Sequence, residues 1–228
     1  GKGIVTQDAA GLAQKGGAVT THVRLAASPS DIHAVRIAAG EADLVLGCDM
    51  VVVNDYWALS KVRGERSEVV LNTWQAMPGS FTTKPDLQFP AEEIIAGVRL
   101  ALGGREPLLI DASRLATALL GDAIATNLFM LGYAWQQGLV PLSLEALMRA
   151  IELNGAAVAM NQAAFAWGRR AAVDLPAVIA AAGKADAPVS THSAPSALDD
   201  EQLSSSLEEL IERRVQLLTG WQDAAWAQ

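Results

Sequence analysis

The segment ADLVLGCDMVVVNDYWALSKVRGERSEVVLN, residues 42–72, decides the fold class. Leu44–Leu46 and Glu68–Asn72 are short, mostly apolar runs bounded by turn residues, which is typical of buried strands. Between them, Gly47-Cys48-Asp49 predicts a tight turn, and the residues from about Asp49 to Lys61 predict a helix with Asp49 as its N-cap. A strand, a helix and a second strand within roughly 30 residues have the size of a parallel βαβ crossover.

The remaining patterns place strands in the first half of the chain and helices in the second. We expect a buried strand at Gly3–Thr6, a half-exposed strand with period two at Val19–Leu25, a helix from about Ala91 to Leu102 and a buried strand at Pro107–Asp111. The helices predicted after these are Ser113–Leu120, Ala123–Gln137, Leu144–Asn154 and Ala157–Ala182, and the second of them is apolar nearly all round, so we expect it to be central. The sequence therefore predicts an α/β fold, a three-layer α/β/α arrangement with a largely parallel (mixed) sheet in the first half and a helical second half.

The domain organisation is predicted from a change in composition near the end of the chain. Residues 1–182 form the α/β domain, and residues 183–205, rich in Ser, Pro, Thr and Ala, form a flexible linker. Residues 206–228 form an amphipathic helix with a capping-box signature at Ser206 and Glu209. Its apolar stripe either packs back on the domain, which is the favoured interpretation, or begins a further region. The chain starts with glycine and stops within this helical pattern, so we interpret it as a fragment of a longer polypeptide.

Composition narrows the class of function. Apolar residues make up 51% of the chain and charged residues 18%, which is enough apolar material for a buried core. A net charge of −8 disfavours nucleic-acid binding, and no apolar run reaches the ~20 residues of a membrane span. Cys48 is the only cysteine, so an internal disulfide, a cysteine-ligated iron–sulfur cluster and a zinc finger are excluded. A single cysteine fits a cytoplasmic protein.

Two groups of residues are candidates for a functional site. The loop residues Gln14, Lys15, Gly16 and Gly17 combine a positive charge with a flexible backbone, which suits either a phosphate-bearing ligand or a partner domain; a tight connecting loop is the structural alternative. Gly47, Cys48 and Asp49 follow one strand, and Asn72 and Thr73 follow the next, so parallel strands would bring them to one carboxyl edge. A reactive Cys48 is conceivable at a helix start, although Asp49 opposes thiolate formation.

Five segments resemble one protein family in order along residues 3–180. They are GLAQKGGAVTTHVRLA (11–26), EADLVLGCDMVVV (41–53), VVLNTWQAMPGSFTTKPDLQFP (69–90), NLFMLGYAWQQGLVPLSLEALMRAIELNG (127–155) and NQAAFAWGRR (161–170). The family is that of the gamma subunit or domain of 2-oxoacid:ferredoxin oxidoreductases, and the fused indolepyruvate:ferredoxin oxidoreductase type is the nearest look-alike. One departure is that family members open with a further strand and a glycine-rich loop, and we expect that first β-α unit to be missing here.

The resemblance implies a dependent role within a larger enzyme. Such an enzyme decarboxylates a 2-oxo acid, here an aryl pyruvate such as indolepyruvate, on thiamine diphosphate with magnesium, passes electrons through iron–sulfur clusters to ferredoxin, and forms an acyl-coenzyme A. The gamma domain is associated with coenzyme A binding and with packing on the thiamine domains. We therefore expect this segment to hold no cofactor alone, except coenzyme A, to contact the thiamine-binding and iron–sulfur domains, and to belong to a homo-oligomer.

Two alternatives from other classes stay open. A stand-alone nucleotide-dependent enzyme of the Rossmann kind would require a glycine fingerprint and an acidic residue about 20 positions on, and that pattern is absent. A purely structural assembly domain would use the helix at 206–226 as its docking element.

Overall fold

Two separate sheets occur in the part of the chain that the computed structural model describes, which comprises residues 2–10, 19–76, 88–185, 206–208, 211 and 215. The first sheet pairs β1 (Gly3–Ala10) with β2 (Val19–Ala26) in antiparallel orientation. The second sheet contains β3 (Leu44–Gly47), β4 (Glu68–Asn72) and β5 (Leu108–Ile110), in that order and all parallel. The parallel βαβ unit predicted from residues 42–72 is therefore confirmed.

Eight α-helices lie in the described residues up to 185. They are α1 (Met50–Val53), α2 (Tyr56–Leu59), α3 (Ala91–Ala101), α4 (Ala112–Leu120), α5 (Thr126–Gln136), α6 (Leu144–Asn154), α7 (Val158–Val173) and α8 (Leu175–Ala185). Short 3-10 turns occur at Pro29–Asp31 and Ala123–Ala125. The helix predicted from Ala123 thus begins with a 3-10 turn.

The parallel sheet lies between two helical layers, as predicted. Central strand β4 is buried from Val69 to Asn72, and its side chains alternate between the two sides. Val69 and Leu71 pack with residues of α1 and α3, whereas Val70 packs with residues of α4, α5, α7 and α8. The α/β class and the helical second half are confirmed, and the two cores account for the three consecutive apolar residues Val69, Val70 and Leu71.

Helices α5 and α7 cross at two glycines. A Cβ added at Gly132 would lie 2.1 Å from the carbonyl oxygen of Phe165, and one added at Gly168 would lie 1.9 Å from that of Phe129. Each glycine therefore lies against the backbone of the other helix, which fixes a very close approach. The predicted burial of the apolar helix α5 is confirmed along its Phe129, Met130, Gly132, Tyr133 and Ala134 side.

Two long helices predicted from the sequence are each split in the structure. The predicted helix 49–61 is two four-residue helices, because the Asp55 carboxylate accepts the Trp57 N–H at 2.8 Å and so starts α2 as a new N-cap. The predicted helix 157–182 breaks at Asp174, whose backbone is not helical (φ −145°) and whose side chain accepts the Ala177 N–H. Pro176, which lacks an N–H, lies in the first turn of the new helix, where none is needed.

The prediction of a buried strand at 3–6 is wrong. The strand is longer, and β1 forms a two-stranded ribbon with β2 whose outward side chains are exposed: Ile4 by 61%, Val19 by 60% and Val23 by 47%. The inward face carries polar groups, including Gln7 and His22, which are directly opposite in the register. Alternation alone could not show which face is turned towards the protein.

The contacts within the chain define two compact units, Gly1–Ala187 and Pro188–Gln228. In the second unit the described residues 207, 208, 211 and 215 are helical. The predicted linker at 183–205 lies largely outside the described residues, and the amphipathic role of 206–228 stays a prediction.

Candidate functional site at the carboxyl edge of the parallel sheet

The carboxyl ends of the three parallel strands bring three connections together. Gly47 pairs with Leu71 at the end of β3, and Asn72 pairs with Ile110 at the end of β5. The Thr73 N–H then donates to the Ile110 carbonyl at 2.9 Å, which extends the ladder by one bond. The predicted residues Gly47–Asp49 and Asn72–Thr73 are therefore neighbours in the structure.

Asn72 is the centre of this edge and is 1% exposed. Its Nδ2 donates to the Cys48 carbonyl and to the Ser113 Oγ, both at 2.9 Å. Its Oδ1 accepts the N–H groups of Ala112 at 3.0 Å, Ser113 at 3.3 Å and Trp74 at 3.4 Å. One buried amide thus ties together the segments that follow β3, β4 and β5.

Ser113 and Thr126 complete this polar group, and the sequence reasoning did not assign either of them to the site. Thr126 Oγ1 donates to the Ala123 carbonyl at 2.6 Å and lies 3.1 Å from Ser113 Oγ. Ser113 Oγ accepts from Asn72 Nδ2 and is the acceptor in its contact with Thr126, so the single Thr126 hydroxyl proton is shared between Ser113 and the Ala123 carbonyl. Ser113 lies two residues after the strand predicted at Pro107–Asp111, and closeness to the end of a predicted strand is the same signal that indicated Gly47 and Asn72.

The first turn of α4 has no backbone N–H left for an anion. The N–H groups of Ala112 and Ser113 donate to Asn72, that of Arg114 donates to the Asp111 carboxylate at 3.3 Å, and that of Leu115 donates to the Asp111 carbonyl at 3.1 Å. The Arg114 guanidinium is also bound to Asp111, at 3.0 Å. The protein itself therefore occupies the groups that helix N-termini commonly offer to phosphates.

Gly47 and Asp49 serve packing and capping in the structure. A Cβ at Gly47 would lie 2.4 Å from Cγ2 of Val53 and 3.0 Å from Cδ1 of Leu71, so the position has no room for a side chain. The Asp49 carboxylate accepts the N–H groups of Val51 at 2.7 Å and Val52 at 3.1 Å, which confirms the predicted N-cap. Ligand contact by either residue stays a prediction.

Cys48 lies between these two residues and is partly buried. Burial raises the pKa of the Cys48 thiol, and the negative charge of Asp49 raises this pKa further. The thiol is therefore mostly protonated at neutral pH, which disfavours a nucleophilic role. The structure thus agrees with the opposition between Asp49 and thiolate formation expected from the sequence.

Two open clefts occur in the described part of the chain. One, of about 780 Å³, lies at the amino edge of the sheet and is lined by Arg63, Gly64, Glu65, Leu102, Gly103 and Arg105. The other, of about 410 Å³, lies between Gln75 and the start of α3, where Glu92 and Glu93 line it and disfavour a phosphate. The other predicted group, Gln14, Lys15, Gly16 and Gly17, lies outside the described residues.

The described ranges contain no candidate metal site and no candidate membrane span. No cluster of three or more His, Cys, Asp or Glu side chains there could hold a metal ion. None of the helices described above is both long and apolar enough to cross a membrane.

Comparisons with known proteins agree with the resemblance drawn from the sequence. The profile of the family described as "Pyruvate ferredoxin/flavodoxin oxidoreductase" matches residues 1–171. A protein of Methanothermobacter thermautotrophicus named "Indolepyruvate oxidoreductase subunit IorB" is 31% identical over 151 residues, which cover 66% of this chain and 72% of that protein. A protein of the same name from Archaeoglobus fulgidus is 28% identical over 175 residues, 76% of this chain and 82% of its own.

No solved structure matches the chain. The family match covers three quarters of the chain and includes the ribbon, the parallel sheet and most of the helical layer. The chain therefore belongs to the pyruvate ferredoxin/flavodoxin oxidoreductase family.

Proposed function

We propose that this chain is a dependent part of an indolepyruvate-type 2-oxoacid:ferredoxin oxidoreductase. The observation that carries the proposal is the family match over residues 1–171, joined by two relatives that are both named as indolepyruvate oxidoreductase subunits. Such an enzyme consumes an aryl pyruvate and coenzyme A, releases carbon dioxide, forms an acyl-coenzyme A and delivers two electrons to ferredoxin. In this proposal other domains hold the thiamine diphosphate, magnesium and iron–sulfur clusters, which supply carbanion stabilisation and electron transfer.

The contribution of this chain would be to position partners rather than to react. Asn72 and the residues bound to it form a closed hydrogen-bond network, so the carboxyl edge is a rigid support. A rigid support suits a domain that holds a neighbouring site in register. No described residue of the chain is assigned a chemical step.

Coenzyme A, if it binds this chain, fits the Gln14–Gly17 loop better than the edge around Asn72. A pyrophosphate needs free N–H donors or cations, and the first-turn amides of α4 and the Arg114 guanidinium already have protein partners. Lys15, Gly16 and Gly17 offer a cation and an adaptable backbone. We therefore assign the contact with coenzyme A or with a partner domain to this loop.

The outward face of the β1–β2 ribbon is our candidate contact with the thiamine-binding domains. Ile4, Thr6, Val19, Thr21 and Val23 are all exposed on that face. An isolated two-stranded ribbon is marginally stable in water, and β-branched side chains on its open face favour a protein neighbour. Burial of this face against another domain would stabilise both.

The loop assignment can be tested in the complete enzyme with Lys15→Ala and Gly17→Val. Ferredoxin reduction and acyl-coenzyme A formation would be measured together, and size-exclusion chromatography would report assembly. We expect Lys15→Ala to raise the KM for coenzyme A at least tenfold while assembly is unchanged, and Gly17→Val to weaken assembly. Lys184→Ala, which removes an equal charge from α8, is the matched control. Unchanged kinetics and assembly in both loop variants would reject the assignment.

A purely structural assembly domain is the second candidate, and one observation favours it. The polar groups at the edge around Asn72 bind one another and leave no described N–H at the start of α4 for a ligand. Calorimetric titration of the full chain with coenzyme A separates the candidates. Saturable binding that Lys15→Ala weakens supports the loop assignment, whereas no heat of binding to the chain or to its complex supports the assembly role.

A further inference from the structure

The inward face of the β1–β2 ribbon is fastened to residues 36–41 by polar contacts from β2. His22 Nδ1 lies 2.9 Å from the backbone nitrogen of Ile37. The Arg24 guanidinium donates to the Arg36 carbonyl at 2.7 and 3.2 Å and to the Glu41 carboxylate at 2.8 Å. Two side chains, two residues apart on one strand, thus connect the ribbon to the rest of the domain.

The contact with Ile37 is compatible with only one charge state of His22. A backbone N–H can only donate, so Nδ1 must be the unprotonated acceptor and the proton must be on Nε2. A doubly protonated imidazolium has no acceptor, and its Nδ1–H would point at the Ile37 N–H. The contact is therefore lost when the ring is protonated.

We propose that His22 is a pH-sensitive latch: the neutral imidazole fastens β2 to residues 36–41, and protonation releases that fastening. The histidine is coupled to the ribbon's attachment because its acceptor atom makes one of the contacts that hold the ribbon in place. Arg24 makes further contacts with the same segment, to the Arg36 carbonyl and the Glu41 carboxylate. Release therefore loosens one of the ribbon's attachments and leaves the parallel sheet intact.

The charges around His22 favour its neutral state. Arg24 is on the same strand, Arg36 and Glu41 come from the facing segment, and Lys61 comes from the residues after α2; β1 places the uncharged Gln7 opposite. The Glu41 carboxylate is hydrogen-bonded to Arg24, which lowers the pKa of Glu41 and keeps it ionised. Partial burial lowers the pKa of His22, and the positive charges of Lys61, Arg36 and Arg24 lower it further.

The sign of the pH dependence follows from this direction. His22 has a lower pKa when the ribbon is attached to residues 36–41 than when it is released. Its contact therefore adds stability at pH values above its ordinary pKa, and this stability is lost as the pH falls through its pKa in the attached state. The ordinary value for histidine is about 6.5. Between about pH 6.5 and the pKa of His22 in the attached ribbon, the equilibrium constant for opening should rise by up to about tenfold for each unit by which the pH falls.

Amide hydrogen exchange of Ile37 in the full chain, between about pH 5 and 8, tests the latch. His22→Asn places an amide oxygen near the position of Nδ1 and does not titrate, whereas His22→Leu removes the acceptor at every pH. After correction for the intrinsic rate, we expect exchange of Ile37 to rise towards acid in the natural chain, to stay flat in His22→Asn, and to be raised but flat in His22→Leu. The Val70 amide of the central strand should stay protected in all three.

Three results would overturn the proposal. An equal pH slope in the natural chain and in His22→Asn would show that another group controls the ribbon. Parallel loss of protection at Val70 would show global acid unfolding instead of local release. An NMR titration of the His22 ring that gave a pKa at or above 6.5 would show that the docked state does not prefer the neutral ring.

Discussion

Replacing Asn72 by alanine should cost more stability than a single side-chain hydrogen bond can explain. The side chain donates two hydrogen bonds and accepts three, and it is 1% exposed, so water cannot replace it. The shortest contacts with backbone groups that are removed are those to the Cys48 carbonyl at 2.9 Å and the Ala112 N–H at 3.0 Å. A buried polar group left without a partner costs about 1–3 kcal/mol, so two of them give roughly 2–6 kcal/mol. That is a large part of the ~5–15 kcal/mol that holds a typical domain together.

Two variants make this prediction specific. Asn161→Ala is the matched control, because the Asn161 side chain makes a single local bond, to the Ala156 carbonyl at 2.9 Å. It should change stability by less than about 1 kcal/mol, since alanine is also the better helix former. Asn72→Asp keeps Oδ1 but turns an oxygen towards the Cys48 carbonyl, so protonation of that carboxyl restores a donor. Its stability should therefore be greatest at low pH and fall as pH rises through the raised pKa of the new carboxyl.

Urea denaturation of the full chain, followed by circular dichroism, gives the free energies of unfolding. Hydrogen exchange adds a local test, because loss of the Asn72 hydrogen bonds should expose the amides of Ala112 and Ser113 to exchange before the amide of Val70. A loss of unfolding free energy below about 1 kcal/mol for Asn72→Ala, or a loss equal to that of Asn161→Ala, would refute the proposed role of the Asn72 hydrogen bonds. The edge would then be held by the strand ladder and by packing such as that of Gly47 against Val53.

Two further predictions concern the close contact between α5 and α7 and the reactivity of the Cys48 thiol. Gly168→Ala places a Cβ 1.9 Å from a backbone oxygen and should lower the free energy of unfolding, measured by urea denaturation, by about 3 kcal/mol or more. Gly183→Ala meets nothing within 4 Å and should stabilise α8 by up to about 1 kcal/mol. Equal effects of the two variants would contradict the close α5–α7 contact. Alkylation of Cys48 at neutral pH should be slower than that of a free thiol, because the pKa of the Cys48 thiol is raised. Asp49→Asn should speed the alkylation, since it removes the negative charge that contributes to the raised pKa and keeps an N-cap residue. An unchanged alkylation rate in Asp49→Asn would rule out the effect of that charge.

Local patterns were sufficient to predict the parallel sheet. The apolar runs at 44–46 and 68–72 are long enough for strands and are bounded by turn residues, and Asp49 is a good N-cap wherever its strand lies. The meeting of Gly47 and Asn72 follows from parallel topology alone. These features depend on residues adjacent in the sequence and on the general rule for connecting parallel strands, so they can be predicted from the sequence alone.

The features that the sequence did not reveal depend on distant partners. Alternating Thr and Val residues in β2 do not show which face is inward; the contacts of His22 and Arg24 with residues 36–41 decide it. The role of Asn72 needs Ala112 and Ser113, about 40 positions away. An interior asparagine at the end of a strand predicts a polar contact, but its partners are defined only when the strands are placed.

The glycines of this chain show how far the family resemblance bears on function. Gly132 and Gly168 lie in two of the segments that carry the resemblance, and both are required by backbone contact between α5 and α7. Gly47, in a third segment, is required by Val53. These three glycines therefore report on the fold, because packing alone excludes a side chain there. Gly16 and Gly17, in the loop proposed to contact a coenzyme or partner domain, lie outside the described residues, so the Lys15 and Gly17 variants are the test of that proposal.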